Sequence, residues 1–283
     1  MKVNYGVPEK FADVLKNDTY YGKNLETFSV TDMLKDVKPV VLKKRHGDKI
    51  EYEIEDRLWS FFGTAFHTAM EKSETDTDLA EEFLQVGKLR GKFDHYDSIE
   101  KAITDFKFTS VWSMVYNDGF LDYHKQLSFY AAMLKENGFD VETCRVLLIF
   151  RDWKNTEYKR GKYDVPKPYA TIDFGKPLTE IDGLPILEYA EKKINYFESM
   201  IDSDSLPDCS EEYRWAKPDT YAVMKGKNIR AFRVFDSIEQ ANELAETDDI
   251  YRVEVRIGNK FVRCEYCDVS DFCSQYKDNE AAL

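Results

Sequence analysis

The chain has 283 residues, which is enough for one large domain or two small ones. Hydrophobic residues make up 43% and charged residues of both signs 33%, so a substantial core is expected and disorder is not. The formal net charge of −13 argues against binding of nucleic acid by bulk attraction but allows a local basic track. Three groups of basic residues are candidates for that track, or are simply solvated surface charges: Lys43, Lys44 and Arg45; Lys88, Arg90 and Lys92; and Lys225, Lys227, Arg230 and Arg233.

Two kinds of segment are absent from the sequence. It has no run of about eighteen apolar residues, so no transmembrane helix is expected. The opening residues, MKVNYGVPEKFADV, have no apolar stretch behind the lysine, so a secretory signal is not expected either. We therefore expect a soluble, intracellular protein without a membrane partner.

The first half of the chain predicts a helix followed by strands. Residues 25–50 favour a short helix after Ser29 or Thr31 and then a basic turn, KKRHGDK. A stronger helix is predicted over 56–72, where apolar residues recur at helical spacing and define one buried face. Three extended runs follow, punctuated by glycines and by the Asp97-Ser98 turn, at 80–86, 89–97 and 101–108.

The second half predicts a helix, further strands and a separate small unit. A long helix over 122–137 ends at Asn137-Gly138, and the run RVLLIF within 141–150 indicates a buried strand. The remaining predicted elements are a charged loop at 152–167, a strand at 169–174 and a helix at 184–202. Residues 217–263 predict a small separate unit with a first strand, a second strand at 229–235, a helix at 237–245 and a strand at 250–257. This order predicts a mixed α+β fold of the α/β class, with a central mixed sheet flanked by helices.

Asp105 and Lys107 share one face of a predicted strand. Side chains two residues apart in a strand point to the same side, so Phe106 and Phe108 point to the other. A carboxylate beside an ammonium group is also what an ordinary surface ion pair looks like. The residues around this pair decide between the two interpretations.

Asp94 lies on the preceding predicted strand, across the turn at Asp97-Ser98. Antiparallel pairing of the two strands would bring Asp94 close to Asp105. Two facing carboxylates repel each other unless a cation lies between them. Mg²⁺ or Mn²⁺ suits such a site because both ions take hard oxygen ligands and fill the rest of their shell with water and phosphate.

Two helices contribute further polar candidates. His67 lies at the edge of the apolar stripe of the first long helix, with Glu71 one turn later on the same face. Gln126 and Tyr130 are spaced i, i+4 on the second long helix. Each also has an ordinary explanation: a core or surface histidine, a helix-surface acid, an interface glutamine and a core tyrosine.

Taken in order, the spacings G-x-x-x-H, G-x-x-D, D-x-K and Q-x-x-x-Y resemble the PD-(D/E)XK nuclease superfamily, in particular its RecB-like branch. That branch includes helicase-linked nuclease domains, CRISPR-associated adaptation nucleases and phage recombination exonucleases. The resemblance covers residues 57–150, and one departure is Phe93, where such proteins often carry a smaller aliphatic residue. It implies a restriction-endonuclease-like core within residues 1–205, with an N-terminal helical lead-in, and cytoplasmic location in a bacterial or phage-infected host cell.

The resemblance also implies a role for each residue. His67, Asp94 and Asp105 would hold Mg²⁺ or Mn²⁺, assisted by the backbone carbonyl of Phe106. Lys107 would position the attacking water or help to deprotonate it. Gln126 and Tyr130 would support Lys107 or contact the DNA backbone. Glu71 could orient a metal-bound water.

Three of the five cysteines fall within ten residues, as Cys264-x₂-Cys267-x₅-Cys273. Such spacing in an intracellular protein favours a metal site over disulfides, with Cys209 as fourth ligand and Cys144 as a core residue. RecB-like nucleases often carry a similar C-terminal trio and one distant cysteine around an iron–sulfur cluster. Here no cysteine precedes the catalytic motifs, unlike in the CRISPR-associated members. We expect a [4Fe–4S] cluster, with Zn²⁺ as the alternative, clamping a C-terminal unit over 206–283.

The sequence therefore predicts a metal-dependent deoxyribonuclease, an exonuclease rather than an endonuclease, acting on DNA ends or single strands. Recombination or other DNA-processing proteins are the expected partners. A nucleotide cofactor is not expected, because no glycine-rich phosphate-binding loop follows a strand. The alternative is a catalytically silent DNA-binding or assembly subunit, against which the D-x-K motif argues; a third is an interaction module with accidental motif matches.

Overall fold

The structure is a computed structural model that describes residues 8–16, 26–50, 57–72, 75–116 and 119–280. Within these residues the α-helices are α1 (Glu9–Lys16), α2 (Val37–His46), α3 (Arg57–Glu71), α4 (Val111–Tyr116), α5 (Leu121–Glu136), α6 (Asn155–Lys159), α7 (Ile186–Met200), α8 (Ile238–Ala245) and α9 (Ser274–Glu280). No described helix is both long and apolar enough to cross a membrane. Residues 1–7, the start of the segment in which no secretory signal is expected, and residue 56, the predicted first residue of the long helix, lie outside the described residues.

The strands form four sheets within the described residues. They are β1 (Phe28–Ser29), β2 (Asp78–Ala80), β3 (Phe83–Val86), β4 (Leu89–Lys92), β5 (His95–Asp97), β6 (Ala102–Thr109), β7 (Thr143–Phe150), β8 (Tyr169–Gly175), β9 (Glu180–Ile181), β10 (Leu184–Pro185), β11 (Thr220–Lys225), β12 (Ala231–Phe235) and β13 (Tyr251–Arg256). Short 3₁₀ helices occupy Val30–Leu34, Val262–Tyr266 and Ser270–Phe272. The chain divides into two compact units: residues 1–35 with 49–202, and residues 36–48 with 203–283. The second unit thus contains residues 36–48 in addition to the C-terminal segment.

The first unit is built on a five-stranded mixed sheet in the order β2-β5-β6-β7-β8. The β6–β7 pair is parallel, and the other pairs are antiparallel. Helix α5 packs on β6 and β7, while α3 packs on β6. The two helices meet opposite faces of β6, because Phe106 contacts Phe66 of α3 and Asp105 contacts Gln126 of α5. The predicted mixed sheet flanked by helices is confirmed.

The core of this unit lies between α5 and β7. Alternate residues of β7 are buried, as period-two geometry requires, and Cys144, Val146 and Leu148 are fully buried. Helix α5 buries Leu127, Phe129 and other residues around most of its circumference, which explains why its sequence is not strongly amphipathic. The helix ends at the predicted Asn137-Gly138 pair, where Gly138 has a φ of +88°.

Two predicted strands are each broken in the structure. The run 80–86 is interrupted at Glu81-Glu82, and the run 89–97 is interrupted at Phe93-Asp94. Both breaks occur where the chain passes from one sheet to another, because β2 and β5 belong to the five-stranded sheet whereas β3 and β4 form a second sheet with β1. Backbone hydrogen bonds from Glu81 N to Asp94 O and from Phe93 N to Glu82 O continue the pairing through the break.

Two loop predictions are wrong. The residues KKRH, predicted as a turn, form the last turn of α2, where basic side chains complement the negative end of the helix dipole. Pro39 is compatible with α2 because it lies in the first turn, where a backbone N–H has no partner within the helix. The predicted charged loop at 152–167 contains α6.

The second unit contains a three-stranded antiparallel sheet in the order β12-β11-β13, with α8 packed against all three strands. The predicted succession of strand, strand, helix and strand is therefore confirmed. Central strand β11 is the best-buried of the three, and its residues Ala222, Val223 and Met224 form the middle of this small core. Ser237 caps α8 by accepting a hydrogen bond from Gln240 N.

Candidate functional site

The strand β6 places Asp105 and Lys107 on the face that α5 covers. Lys107 Nζ donates to Asp105 Oδ1 at 2.9 Å and lies 2.7 Å from Oδ2, which receives no hydrogen bond of good geometry. Asp105 is only 4% exposed. An exposed surface pair, the ordinary explanation of this motif, is thereby ruled out, because buried charges of this kind need dedicated partners.

Helix α5 supplies two more contacts to this pair. Gln126 Nε2 donates to Asp105 Oδ1 at 3.2 Å, and the Lys107 ammonium lies 5.7 Å from the centre of the Tyr123 ring. Gln126 therefore contacts Asp105, whereas the resemblance implied support of Lys107 or contact with DNA. Tyr123 was not singled out in the sequence, although it lies three residues before Gln126 and so on a neighbouring part of the same helix face.

Asp94 lies at the end of the break between β4 and β5. The register pairs His95 with Thr104, so Asp94 stands opposite Asp105 at the next position along the two strands. Asp94 Oδ2 accepts a hydrogen bond from Phe106 N at 2.6 Å, which fixes the carboxylate against β6. The expected proximity of Asp94 to Asp105 depends on this antiparallel pairing, which the structure contains.

The second oxygen of Asp94 faces His67. His67 Nδ1 lies 3.3 Å from Asp94 Oδ1 and 3.0 Å from Glu81 Oε1. The other oxygen of Glu81, Oε2, forms an ion pair with Lys92 Nζ. Three elements thus converge: helix α3 with His67, and the two strand breaks with Glu81 and Asp94.

The charges in this region are strongly coupled. Burial raises the pKa of Asp105 to about 6; the Lys107 ammonium opposes this rise and repulsion from Asp94 adds to it. Burial disfavours the charged form of His67, but hydrogen bonds and attraction to Asp94 and Glu81 outweigh it and raise the pKa of the imidazole to about 10. Lys107 follows the same pattern, because Asp105 and Asp94 overcome its burial and raise its pKa. Without a bound ion, the positive charges on His67 and Lys107 offset the carboxylates.

Three other residues from the sequence analysis have distinct positions. Tyr130 is buried, and its ring lies directly over Gly91, the glycine of G-x-x-D. The Phe106 side chain packs among aromatic rings of α3 and β5. Glu71 is exposed at the end of α3, and it does not belong to the group of close ligand atoms around His67 in the described part of the chain.

Glu81 and Lys92 were missed as site residues in the sequence. Glu81 falls inside what looks like one continuous strand, and the only signal for it is a pair of acidic residues, Glu81-Glu82, in an otherwise extended run. Its backbone φ of +52°, rare for a residue with a side chain, carries no sequence signature. In the sequence, Lys92 is a candidate only for the local basic track or for a solvated surface charge.

The three predicted basic groups differ in their contacts. Lys43 pairs with Asp268, Lys88 with Glu198 and Lys92 with Glu81, so the first two groups are partly engaged in ion pairs within their own units. The third group lies on the β11–β12 hairpin, where Lys225 rests over the rings of Phe232 and Tyr251.

The four cysteines of the predicted cluster site line one pocket of the second unit. Cys209, Cys264, Cys267 and Cys273 share it with basic and aromatic residues that include Arg214, Arg263 and Tyr213. Cys144 lies instead in the core of the first unit, as predicted. Among the described residues no three cysteine sulfurs approach one another within 4.8 Å.

No protein-family model and no curated protein matches the chain. Solved structures resemble part of it. The protein SSO0001 has 17% identity and a TM-score of 0.45, over 66% of this chain and 85% of that one. An alkaline exonuclease (LHK-Exo) from Laribacter hongkongensis has 10% identity and a TM-score of 0.40, over 64% and 90%. A phage related exonuclease from Haemophilus somnus 129PT has 11% identity and a TM-score of 0.38, over 63% of this chain and 96% of that one.

Proposed function

We propose that this protein is a metal-dependent DNA nuclease whose active site contains His67, Asp94, Asp105 and Lys107. One observation carries the proposal: side chains far apart in sequence, on α3, the β4–β5 break and β6, meet around the two aspartates. An accidental match of the motifs would leave these residues scattered over the fold. The choice of DNA, and of exonuclease over endonuclease, follows from the motif resemblance.

The donor atoms suit a hard divalent ion. Carboxylate oxygens and a backbone carbonyl are the ligands that Mg²⁺ and Mn²⁺ prefer, and an imidazole is compatible with Mn²⁺. The buried Oδ2 of Asp105 accepts no hydrogen bond of good geometry, which leaves a lone pair for such an ion. A bound ion supplies an activated water and offsets negative charge on the phosphate.

The chain's own residues contribute orientation and positive charge. Lys107 stays an ammonium group beside Asp105, so it acts by holding the attacking water and stabilising charge on phosphate oxygens rather than by accepting a proton. Gln126 fixes Asp105, and Phe106 N fixes Asp94, so neither carboxylate has to reorganise as charge develops.

The test uses purified protein with linear single-stranded, linear double-stranded and circular DNA, in Mg²⁺, Mn²⁺ or chelator. We expect metal-dependent degradation of linear DNA that Asp105→Ala and Lys107→Ala lower by at least about a hundredfold. Lys101→Ala is the matched control, because Lys101 precedes β6 but its ion pairs, with Asp140 and Glu142, are exposed. Cleavage of circular DNA would indicate an endonuclease.

Two outcomes would contradict the proposal. Equal degradation by wild-type protein and Asp105→Ala would show that a contaminant cuts the DNA. Tight DNA binding without cleavage in any metal would favour the alternative of a silent binding or assembly subunit, which could still act with recombination or DNA-processing proteins.

We further propose that Cys209, Cys264, Cys267 and Cys273 hold a [4Fe–4S] cluster. The sulfurs of a tetrahedral zinc site lie about 3.8 Å apart, given Zn–S bonds of about 2.3 Å. The four cysteines line one pocket without such close approach, as suits a cluster that carries each thiolate on a separate iron. Protein purified without oxygen should be brown and contain iron, and a colourless zinc protein would support Zn²⁺ instead.

A further inference from the structure

The closest group of candidate metal ligands includes Glu81, a residue that belongs to none of the four motifs. His67, Glu81 and Asp94 each place one ligand atom within 4.8 Å of the other two, and in the described residues no other set of three histidine, cysteine or acidic side chains does. His67 Nδ1 is 3.0 Å from Glu81 Oε1 and 3.3 Å from Asp94 Oδ1. Asp105 is not in this set. The D-x-K carboxylate is instead engaged by Lys107 and Gln126.

Glu81 and Asp94 each use one carboxylate oxygen for a contact away from His67, and the other oxygen of each faces His67 Nδ1. Glu81 uses Oε2 for Lys92, and Asp94 uses Oδ2 for Phe106 N. The remaining oxygens, Oε1 and Oδ1, both face His67 Nδ1, and a neutral imidazole nitrogen can donate to one of them at most. In the metal-free site the charged imidazole of His67 itself offsets these two inward oxygens. With a neutral imidazole, a cation is needed between them, and a divalent ion that displaces the Nδ1 proton would fill that role.

We propose that Glu81 is a protein ligand of a divalent cation that it holds together with His67 and Asp94. The site combines one imidazole nitrogen with two carboxylate oxygens, which suits Mn²⁺ better than Mg²⁺ or Ca²⁺, because the latter two ions take oxygen ligands almost exclusively. Lys92 keeps Glu81 turned so that only Oε1 faces the ion.

This inference deepens the proposed nuclease function, because the ion would lie beside the one that Asp94 and Asp105 contact. Asp94 would then be shared between the two ions, whereas Asp105, whose Oδ1 is engaged by Lys107 and Gln126, would contact only the second ion, through Oδ2. We therefore expect Glu81→Gln to weaken Mn²⁺ binding more than Asp105→Asn does.

Binding can be measured without cleavage, by titrating the chelator-treated full-length protein with Mn²⁺ in a calorimeter. Mn²⁺ is the suitable probe because thiolate sites such as the cysteine pocket select softer metals. We expect Glu81→Gln to weaken binding at least about tenfold, as the loss of supporting groups alone does at other metal sites. Glu82→Gln is the matched control, because Glu82 is exposed and lies next to Glu81 in sequence. It should bind Mn²⁺ as wild type does.

Glu81→Asp keeps the charge and shortens the side chain, so it guards against loss of folding in Glu81→Gln; it should bind Mn²⁺ with intermediate affinity. Wild-type affinity in a folded Glu81→Gln protein would overturn the inference. If the wild type binds Mn²⁺ through Glu81 but cleaves no DNA, the nuclease proposal fails and the metal site stands. If the wild type cleaves DNA, and Glu81→Gln cleaves DNA and binds Mn²⁺ as the wild type does, the nuclease proposal stands and the metal site fails.

Discussion

Gly91 is the one glycine of the motifs whose missing side chain is required by packing. A Cβ added there would lie 2.9 Å from Val30 Cγ2 and would overlap the ring of Tyr130. Ordinary carbon contacts are about 3.5–4.0 Å, so both neighbours would have to move by more than about half an ångström. Val30 is fully buried and Tyr130 is 5% exposed, so neither can swing into solvent.

We expect Gly91→Ala to lower the free energy of unfolding by about 1–2 kcal/mol. Overpacking of a core costs about 1–3 kcal/mol. Loss of glycine's extra freedom in the unfolded chain offsets about 0.4–1 kcal/mol of that cost, since Gly91 does not have a positive φ. In a urea titration followed by circular dichroism, the midpoint should fall by about 0.5–1 M.

A double-mutant cycle tests the cause. In a Tyr130→Leu background the ring is gone, so the cost of Gly91→Ala should fall by about half, since the Val30 contact remains. Gly63→Ala is the control, because Gly63 lies in α3 with nothing within 4 Å of an added Cβ, and it should stabilise the helix by about 0.5–1 kcal/mol. Additive effects of Gly91→Ala and Tyr130→Leu, or a Gly91→Ala protein as stable as wild type, would refute the reasoning.

Three other groups in the first unit give measurable outcomes. Burial raises the pKa of the Cys144 thiol to about 12, so iodoacetamide at about pH 8 should label it only after unfolding, as judged by mass spectrometry. In metal-free protein the pKa of His67 is raised to about 10, so its charged form stabilises the fold fully below about pH 6.5. This contribution, about 1–2 kcal/mol after solvent screening, is lost as the pH rises to about 10. The urea midpoints of wild type and His67→Gln should therefore converge between about pH 6.5 and pH 10. Asp152→Ala removes the acceptor of Ser110 Oγ and Val111 N at the start of α4, and should cost about 1 kcal/mol in the same titration.

Period and spacing in the sequence were sufficient to predict β6, its two faces and its antiparallel partner. The alternation Asp105, Phe106, Lys107 needs only strand geometry, and the turn at Asp97-Ser98 sets the register that places Asp94 opposite Asp105. The long helices were predicted to within two residues at each end of the described helix, because their apolar spacing extends over several turns.

The position of Glu81 could not be predicted in this way. Its inclusion in the site depends on a break in the strand that separates β2 from β3. This break lies where the pairing changes from β5, about 15 to 19 residues later, to β4, about 3 to 9 residues later. Local sequence encodes neither that pairing nor the left-handed backbone of a glutamate. The last turn of α2, KKRH, was predicted as a turn for a different reason: its basic residues give no apolar period, and the five buried residues of α2 all precede it.

Glu81 and Asp94 occupy equivalent places in the topology, and this equivalence explains why both are available as ligands. Each lies where the chain leaves one sheet and enters the other, and the two breaks face each other, joined by the hydrogen bond from Glu81 N to Asp94 O. Side chains at such a break are freed from the strict alternation between two packed faces, so they can turn toward α3 and His67. A left-handed glutamate costs about 1–2 kcal/mol in backbone energy, which the surrounding structure must offset. Because the facing break carries Asp94 and is hydrogen-bonded to Glu81, a change that straightened the β2–β3 junction, such as deletion of Glu82, would displace both carboxylates together rather than one.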